Sequence, residues 1–173
     1  MKKVYLVLTS TGTILSRIVK FYTKDEFGHS SISLDKDLQE MYSFGRLNPY
    51  NPFIGGFVHE YINKGTFKRF YKTKTTIYSL EIEDKQYEKM KEIIQDFKEN
   101  KNKFKFNSTG LFAIALDKKV RRKDYFYCAE FVKYVLEESG LKLDLPELIR
   151  PECFKDIKGI KEVYSGLLQD YSV

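Results

Sequence analysis

The sequence predicts an α+β domain, an antiparallel sheet packed against helices. Three observations predict it: β-branched apolar runs of strand length, two short segments about "DKD" that read as a hairpin, and stretches whose apolar residues recur every three or four positions. A chain of 173 residues can bury a sizeable core. No repeat, low-complexity tract or linker divides it, so residues 1–173 read as a single domain.

"KVYLVL" at 3–8 reads as a buried first strand. "STGT" at 10–13 offers hydroxyls and a glycine at a turn, a helix start. Ile14, Leu15, Ile18, Val19 and Tyr22 then repeat with helical spacing. "GHSSISLD" (28–35) and "QEMYSFGR" (39–46) form the expected hairpin. Residues 47–66, rich in Asn, Pro and Gly, read as a long connection carrying Tyr50, Phe53, Phe57 and Tyr61. "TIYSLEI" alternates Tyr78, Leu80 and Ile82 against Ser79 and Glu81, a half-buried strand. Asp84 can cap the next helix, whose apolar face is Tyr87, Met90, Ile94 and Phe97. A short buried helix is expected over 108–116. Another of about twelve residues begins near Cys128, its face made by Cys128, Phe131, Val132 and Val135, with Gly140 just beyond its end. Pro151 starts a short helix, and 161–166 is a final strand.

Composition excludes several classes. Apolar residues make up 42% and charged residues 31%, as in ordinary soluble globular proteins. No apolar run approaches the roughly 18 residues of a membrane span. Only five apolar residues lie between Lys3 and Thr9, short of the roughly 7–15 of a secretory signal, so a cytoplasmic protein is expected. Cys128 and Cys153 then read as reduced thiols. No CxxC, HExxH or Cys/His cluster calls for a metal, and no cofactor is implied. The net charge of +6 comes without a nucleic-acid-binding module, and "KKVRRK" at 118–123 reads as a solvated loop, so no nucleic-acid partner is expected.

The chemistry concentrates at Cys128. A thiol is nucleophilic as thiolate, and a helix N-terminus or a nearby imidazole favours that form. Two histidines can serve as base. His29 opens a short strand, which fixes an imidazole better than the loop around His59. A hairpin turning at Lys36 puts Ser43 opposite His29. A one-residue slip brings Tyr42 there instead, with Glu40 then on the histidine's face but farther along. The bland reading of Cys128 is a small buried hydrophobe.

"GHSSISLD", then "MYSFGR", then about a hundred residues later "CAEFVKYVLEESG", resemble the circularly permuted branch of the NlpC-type, papain-like cysteine hydrolases. That branch takes in YiiX/YaeF-like bacterial proteins and, more distantly, lecithin:retinol acyltransferase-like enzymes. The likeness spans roughly residues 2–166 and rests on order: the histidine strand precedes the cysteine helix. It implies a permuted papain-like fold, His29 as base, and Cys128 as nucleophile at the start of a core helix, in the run Cys128-Ala129-Glu130-Phe131-Val132. Relatives commonly carry Glu or His on the strand after the catalytic histidine, where this chain has Ser43. Ser43 as orienting residue, Glu40, a bare Cys–His dyad, and loss of activity all stay open.

The implied function is a cysteine amidase or peptidase, or a lipid acyl hydrolase or transferase, working through a thioester. Its substrate would be an amide- or ester-containing small molecule, peptide or lipid, with peripheral membrane contact an option. Tyr42, Phe53 and Tyr127 are candidate substrate contacts. The alternative is an impaired relative that binds a lipid, peptide or protein partner.

Overall fold

A computed structural model describes residues 1–12, 24–110 and 122–172, without the side chains of Pro52 and Phe53. The apolar stretch 14–22, most of the 108–116 helix and much of "KKVRRK" lie outside the described residues. So does the side chain of Phe53, the candidate substrate contact on the fourth strand.

The described chain is α+β. Six strands form one antiparallel sheet: β1 (Lys2–Ser10), β2 (His29–Ser33), β3 (Met41–Asn48), β4 (Asn51–Glu60), β5 (Lys74–Ile82) and β8 (Lys161–Leu167), in the order β4-β3-β2-β1-β5-β8. A short parallel pair, β6 (Lys105–Phe106) and β7 (Tyr125–Phe126), lies apart from it. The helices are α1 (Gly65–Arg69), α2 (Asp84–Glu99) and α3 (Cys128–Glu138), with a 3₁₀ turn at Pro151–Asp156. None of the described helices is long and apolar enough to cross a membrane.

Each face of the sheet has its own core, as the period-two alternation of a strand requires. Val4, Leu6, Leu8, Ile32, Tyr42, Phe44, Phe57, Leu80 and Ile82 meet Met90, Ile94 and Phe97 of α2 and Phe131, Val132 and Val135 of α3. Tyr5, Val7, Met41 and Ile77 point the other way, onto Phe67 of α1 and Leu168. β1 is therefore apolar on both faces. It reads as a continuous run because it is central and covered twice.

Three sequence expectations change. The 47–66 connection is largely β4 and α1, and β3 and β4 form a hairpin with a bulge between Arg46 and Asn48. Glycines disguise this strand. A Cβ on Gly55 would lie 2.6 Å from the Phe106 ring, so only glycine lets β6 cover β4 there. The cap of α2 is Glu83, not Asp84: Glu83 and Gln86 form a reciprocal capping box, and the Glu83 N–H donates to Gln86 Oε1 at 3.0 Å. The β2–β3 turn is centred one residue later than Lys36. The Asp35 carboxylate accepts the N–H groups of Gln39 (3.0 Å) and Glu40 (2.7 Å), and Leu38 adopts φ +55°.

Candidate active site

Cys128 is the first residue of α3. Tyr127 is the N-cap, and its N–H donates to Glu130 Oε2 at 3.1 Å, one half of a capping box. The same oxygen accepts Asn107 Nδ2 at 3.1 Å, tying the helix start to the end of β6. Glu130 in the "CAEFV" run is thus a helix anchor. Its replacement by alanine should lower the unfolding free energy by about 1 kcal/mol, the usual worth of such a cap, read from urea denaturation. An unchanged midpoint would show that the cap holds nothing.

His29 starts β2 and faces the α1 side of the sheet, its ring 6.4 Å from that of Phe67. The backbone before it is held in place: the Glu152 carboxylate accepts the N–H groups of Glu26 (2.9 Å) and Phe27 (3.0 Å). Across the β2–β3 ladder Ile32 pairs with Tyr42 and Ser33 with Met41. Continued upward, that register places Gly45 opposite His29 and Ser43 opposite Ser31. A Cβ on Gly45 would lie 3.3 Å from the histidine ring and 3.5 Å from Glu60, so this glycine makes the space the pair occupies.

The partner of His29 is Glu60, at the end of β4. Glu60 Oε1 is 3.0 Å from His29 Nε2, and Glu60 Oε2 accepts the Ser31 hydroxyl at 2.5 Å. The two side chains are only 19% and 9% exposed, dry enough for the ion pair to matter. With Nε2 engaged, Nδ1 is the nitrogen left for Cys128.

The two ends of this chain shift each other's protonation. Burial works to lower the His29 pKa. The Glu60 charge, hydrogen bonds to Cys128 and Glu60, and the thiolate charge outweigh it and raise the value to about 10. Burial works to raise the Cys128 pKa. The hydrogen bond and charge of His29, followed by the Ser30 N–H, outweigh it and hold the thiol below its ordinary value. Both shifts run in the direction that favours Cys128 thiolate beside His29 imidazolium. The thiol, the imidazole and the carboxylate come from α3, β2 and β4.

The other candidates are placed as follows. Ser43 is buried, but its hydroxyl has no hydrogen-bond partner among the described residues, and it is not the group on His29. It shares the face of His29 but lies two residues too far down the ladder. Glu40 accepts the Tyr42 hydroxyl and lies 3.7 Å from Lys98, away from His29. Tyr42 is fully buried on the α2/α3 side, its ring stacked on Phe57 at 5.8 Å, so it is no substrate contact. Tyr127 is likewise a core residue, 2% exposed, its hydroxyl donating to the Ile149 carbonyl at 2.9 Å. His59 lies close to Gln39 O (2.6 Å) and to the Tyr61 hydroxyl (2.9 Å), a structural role. Both cysteines are unpaired, and Cys153 sits half-buried in the 3₁₀ turn.

Sequence reasoning missed Glu60 because it treated β4 as loop. The available signal was weak: "FVHE" alternates only after the Gly55-Gly56 pair. No protein-family model matches the chain, and no curated protein matches it in sequence.

Proposed function

We propose that this protein is a cysteine hydrolase or acyltransferase of the circularly permuted NlpC-type, papain-like group, acting on an amide or ester through Cys128. The observation that carries the reading is His29, bonded to Glu60 Oε1 at 3.0 Å and interacting with the thiol of Cys128, which starts an apolar-faced helix. Histidine before cysteine in the chain, and the "CAEFV" run, support the permuted assignment. The acid that position 43 lacks is supplied by Glu60, which removes the reason for reading the site as a disabled binding pocket.

The Cys128 thiolate attacks the substrate carbonyl, and the C–S bond forms as the carbonyl π pair moves to oxygen. The N–H groups of the first turn of an α-helix lack intrahelical acceptors, and that of Cys128 would stabilise the oxyanion. As the C–N or C–O bond breaks, the His29 imidazolium gives its Nδ1 proton to the departing amine or alcohol, leaving a thioester and neutral His29. Water, or an acceptor alcohol or amine, then loses its proton to His29 as it attacks the thioester. Collapse releases the acid or the transferred acyl product and restores the thiolate–imidazolium pair. Proton transfer of this kind contributes about 10²–10⁴-fold. Glu60 keeps the ring oriented throughout and stabilises it each time it is protonated.

A thiol-directed activity probe tests this. At pH 7, labelling should fall on Cys128 in strong preference to Cys153, and His29→Ala should slow it at least tenfold. Equal labelling of both cysteines, indifferent to His29, would sink the proposal.

A further inference from the structure

The positive charge of this protein is not spread evenly. Residues 41–80 carry six Lys or Arg (Arg46, Lys64, Lys68, Arg69, Lys72, Lys74) against a single acid, Glu60, a local excess of +5. That one acid is turned inward onto His29. The same segment holds four large apolar side chains in solvent: Leu47 (53% exposed), Tyr50 (78%), Ile54 (51%) and Tyr71 (60%).

Several of these residues touch at one end of the sheet. The Arg69 guanidinium lies 4.2 Å from the Tyr50 ring centre and donates to the Pro49 carbonyl at 2.6 Å. Arg46 and Arg69 both flank the Phe70 ring, at 6.0 and 5.3 Å. Burial and then the neighbouring Arg69 charge push the Arg46 pKa down. Leu47 and Ile54 stand on the two strands of the hairpin beside its bulge. Register fixes which end of the sheet this is. His29 pairs with Thr9, and Lys74 with Ser10, one step farther on. β3 and β4 run past the start of β2, so the hairpin tip projects beyond the catalytic end.

We propose that the β3–β4 hairpin and the α1–β5 turn dock the protein on an anionic lipid surface. The charge is complementary to acidic headgroups, where each basic residue near the surface contributes about a fivefold gain in binding. The exposed tyrosines suit the headgroup boundary, and Leu47 and Ile54 supply apolar insertion. Those two aliphatic side chains favour a bilayer over a nucleic acid, which stacks on aromatic rings and makes little use of aliphatics. A membrane so placed would offer the thiol carbonyls at the headgroup level, an extension that rests on the hydrolase reading.

Flotation of the full chain with vesicles decides the docking itself, and it reads binding without turnover. Vesicles of phosphatidylcholine with one-quarter phosphatidylglycerol should bind at least tenfold better than phosphatidylcholine alone, and 0.5 M salt should remove most of that gain. The exposed pair Lys68→Glu and Lys72→Glu should cost at least tenfold. Tyr50→Ser with Ile54→Ser, which leaves the charge intact, should cost several-fold. Lys89→Glu with Lys91→Glu on α2 should change little. Equal binding to neutral and anionic vesicles, indifference to Lys68→Glu/Lys72→Glu, or salt-sensitive binding to nucleic acid with none to vesicles would each overturn the proposal.

Discussion

Replacing Glu60 by glutamine should slow alkylation of Cys128 by ten- to a hundredfold at pH 6, while leaving the rate at pH 10 nearly unchanged. Glutamine keeps the shape and can still accept from the ring, but it removes the charge. Hydrogen bonds to charged groups are worth about 1.5–3 kcal/mol, which sets that range. The direction follows from the balance at His29. Burial lowers its pKa and Glu60 is the leading opposing influence, so without the carboxylate the ring loses its proton nearer neutrality. A neutral ring no longer holds the thiolate, and the Cys128 pKa rises. As pH rises toward 10 more of the thiol ionises without help from the ring, so a defect confined to lower pH separates loss of charge from a misfolded site. If the two pH–rate curves superimpose, Glu60 is not the orienting group.

The same balance fixes the pH window of the intact protein. The thiolate–imidazolium pair exists above the depressed Cys128 pKa and below about 10. Its stabilising effect has the same limits. The folded His29 pKa lies above the unfolded value, so its contribution is complete below about 6.5 and is lost as pH rises through about 10. The folded Cys128 pKa lies below the unfolded value, so its contribution is lost as pH falls through the folded one.

What the sequence made legible was local. β1, the face of α3 and the start of α3 at Cys128 follow from side-chain period and from a cap within four residues. His29 was preferred over His59 because 47–66 read as a loop, yet His59 lies on β4 too; what separates the two rings is their partners, Glu60 for His29 and Gln39 O for His59. The third member depended on two things that period cannot carry. One is hairpin register, set by the Asp35 turn rather than by the strands. The other is a strand whose pattern Pro52, Gly55 and Gly56 interrupt, because neighbours press on its backbone: the Phe106 ring over Gly55 and the Leu47 side chain 3.2 Å from a Cβ on Gly56. Glu60 reaches His29 from β4, with β3 between, and Gly45 is the residue that lets it through. That is a three-strand relation. No pairwise reading of "GHSSISLD" against "MYSFGR" contains it.

Phe97→Ala should be among the most damaging single substitutions, costing about 3–5 kcal/mol of unfolding free energy. Phe97 is 1% exposed and is the hub of an aromatic cluster. Its ring centre lies 4.0 Å from Phe104, 5.1 Å from Phe131, 5.4 Å from Phe126, 5.6 Å from Phe57 and 5.8 Å from Phe44. Those partners come from β3, β4, β7, α3 and the segment before β6, so alanine leaves a cavity walled by five separate pieces of chain that cannot all collapse into it. Against a total stability of roughly 5–15 kcal/mol this is a large fraction, visible as a lower urea midpoint with little change in slope. The damage should extend to chemistry. Phe131 is three residues from Cys128 and packs on Phe97, Phe44 and Phe57, which makes this cluster the seat of α3 against β3 and β4. If the seat loosens, the thiol moves relative to a ring fixed by Glu60, and the alkylation rate at pH 7 falls even where the variant is folded. A variant that is destabilised yet alkylated at the unaltered rate would mean that the cap at Glu130 and Asn107, rather than the aromatic seat, sets the position of Cys128.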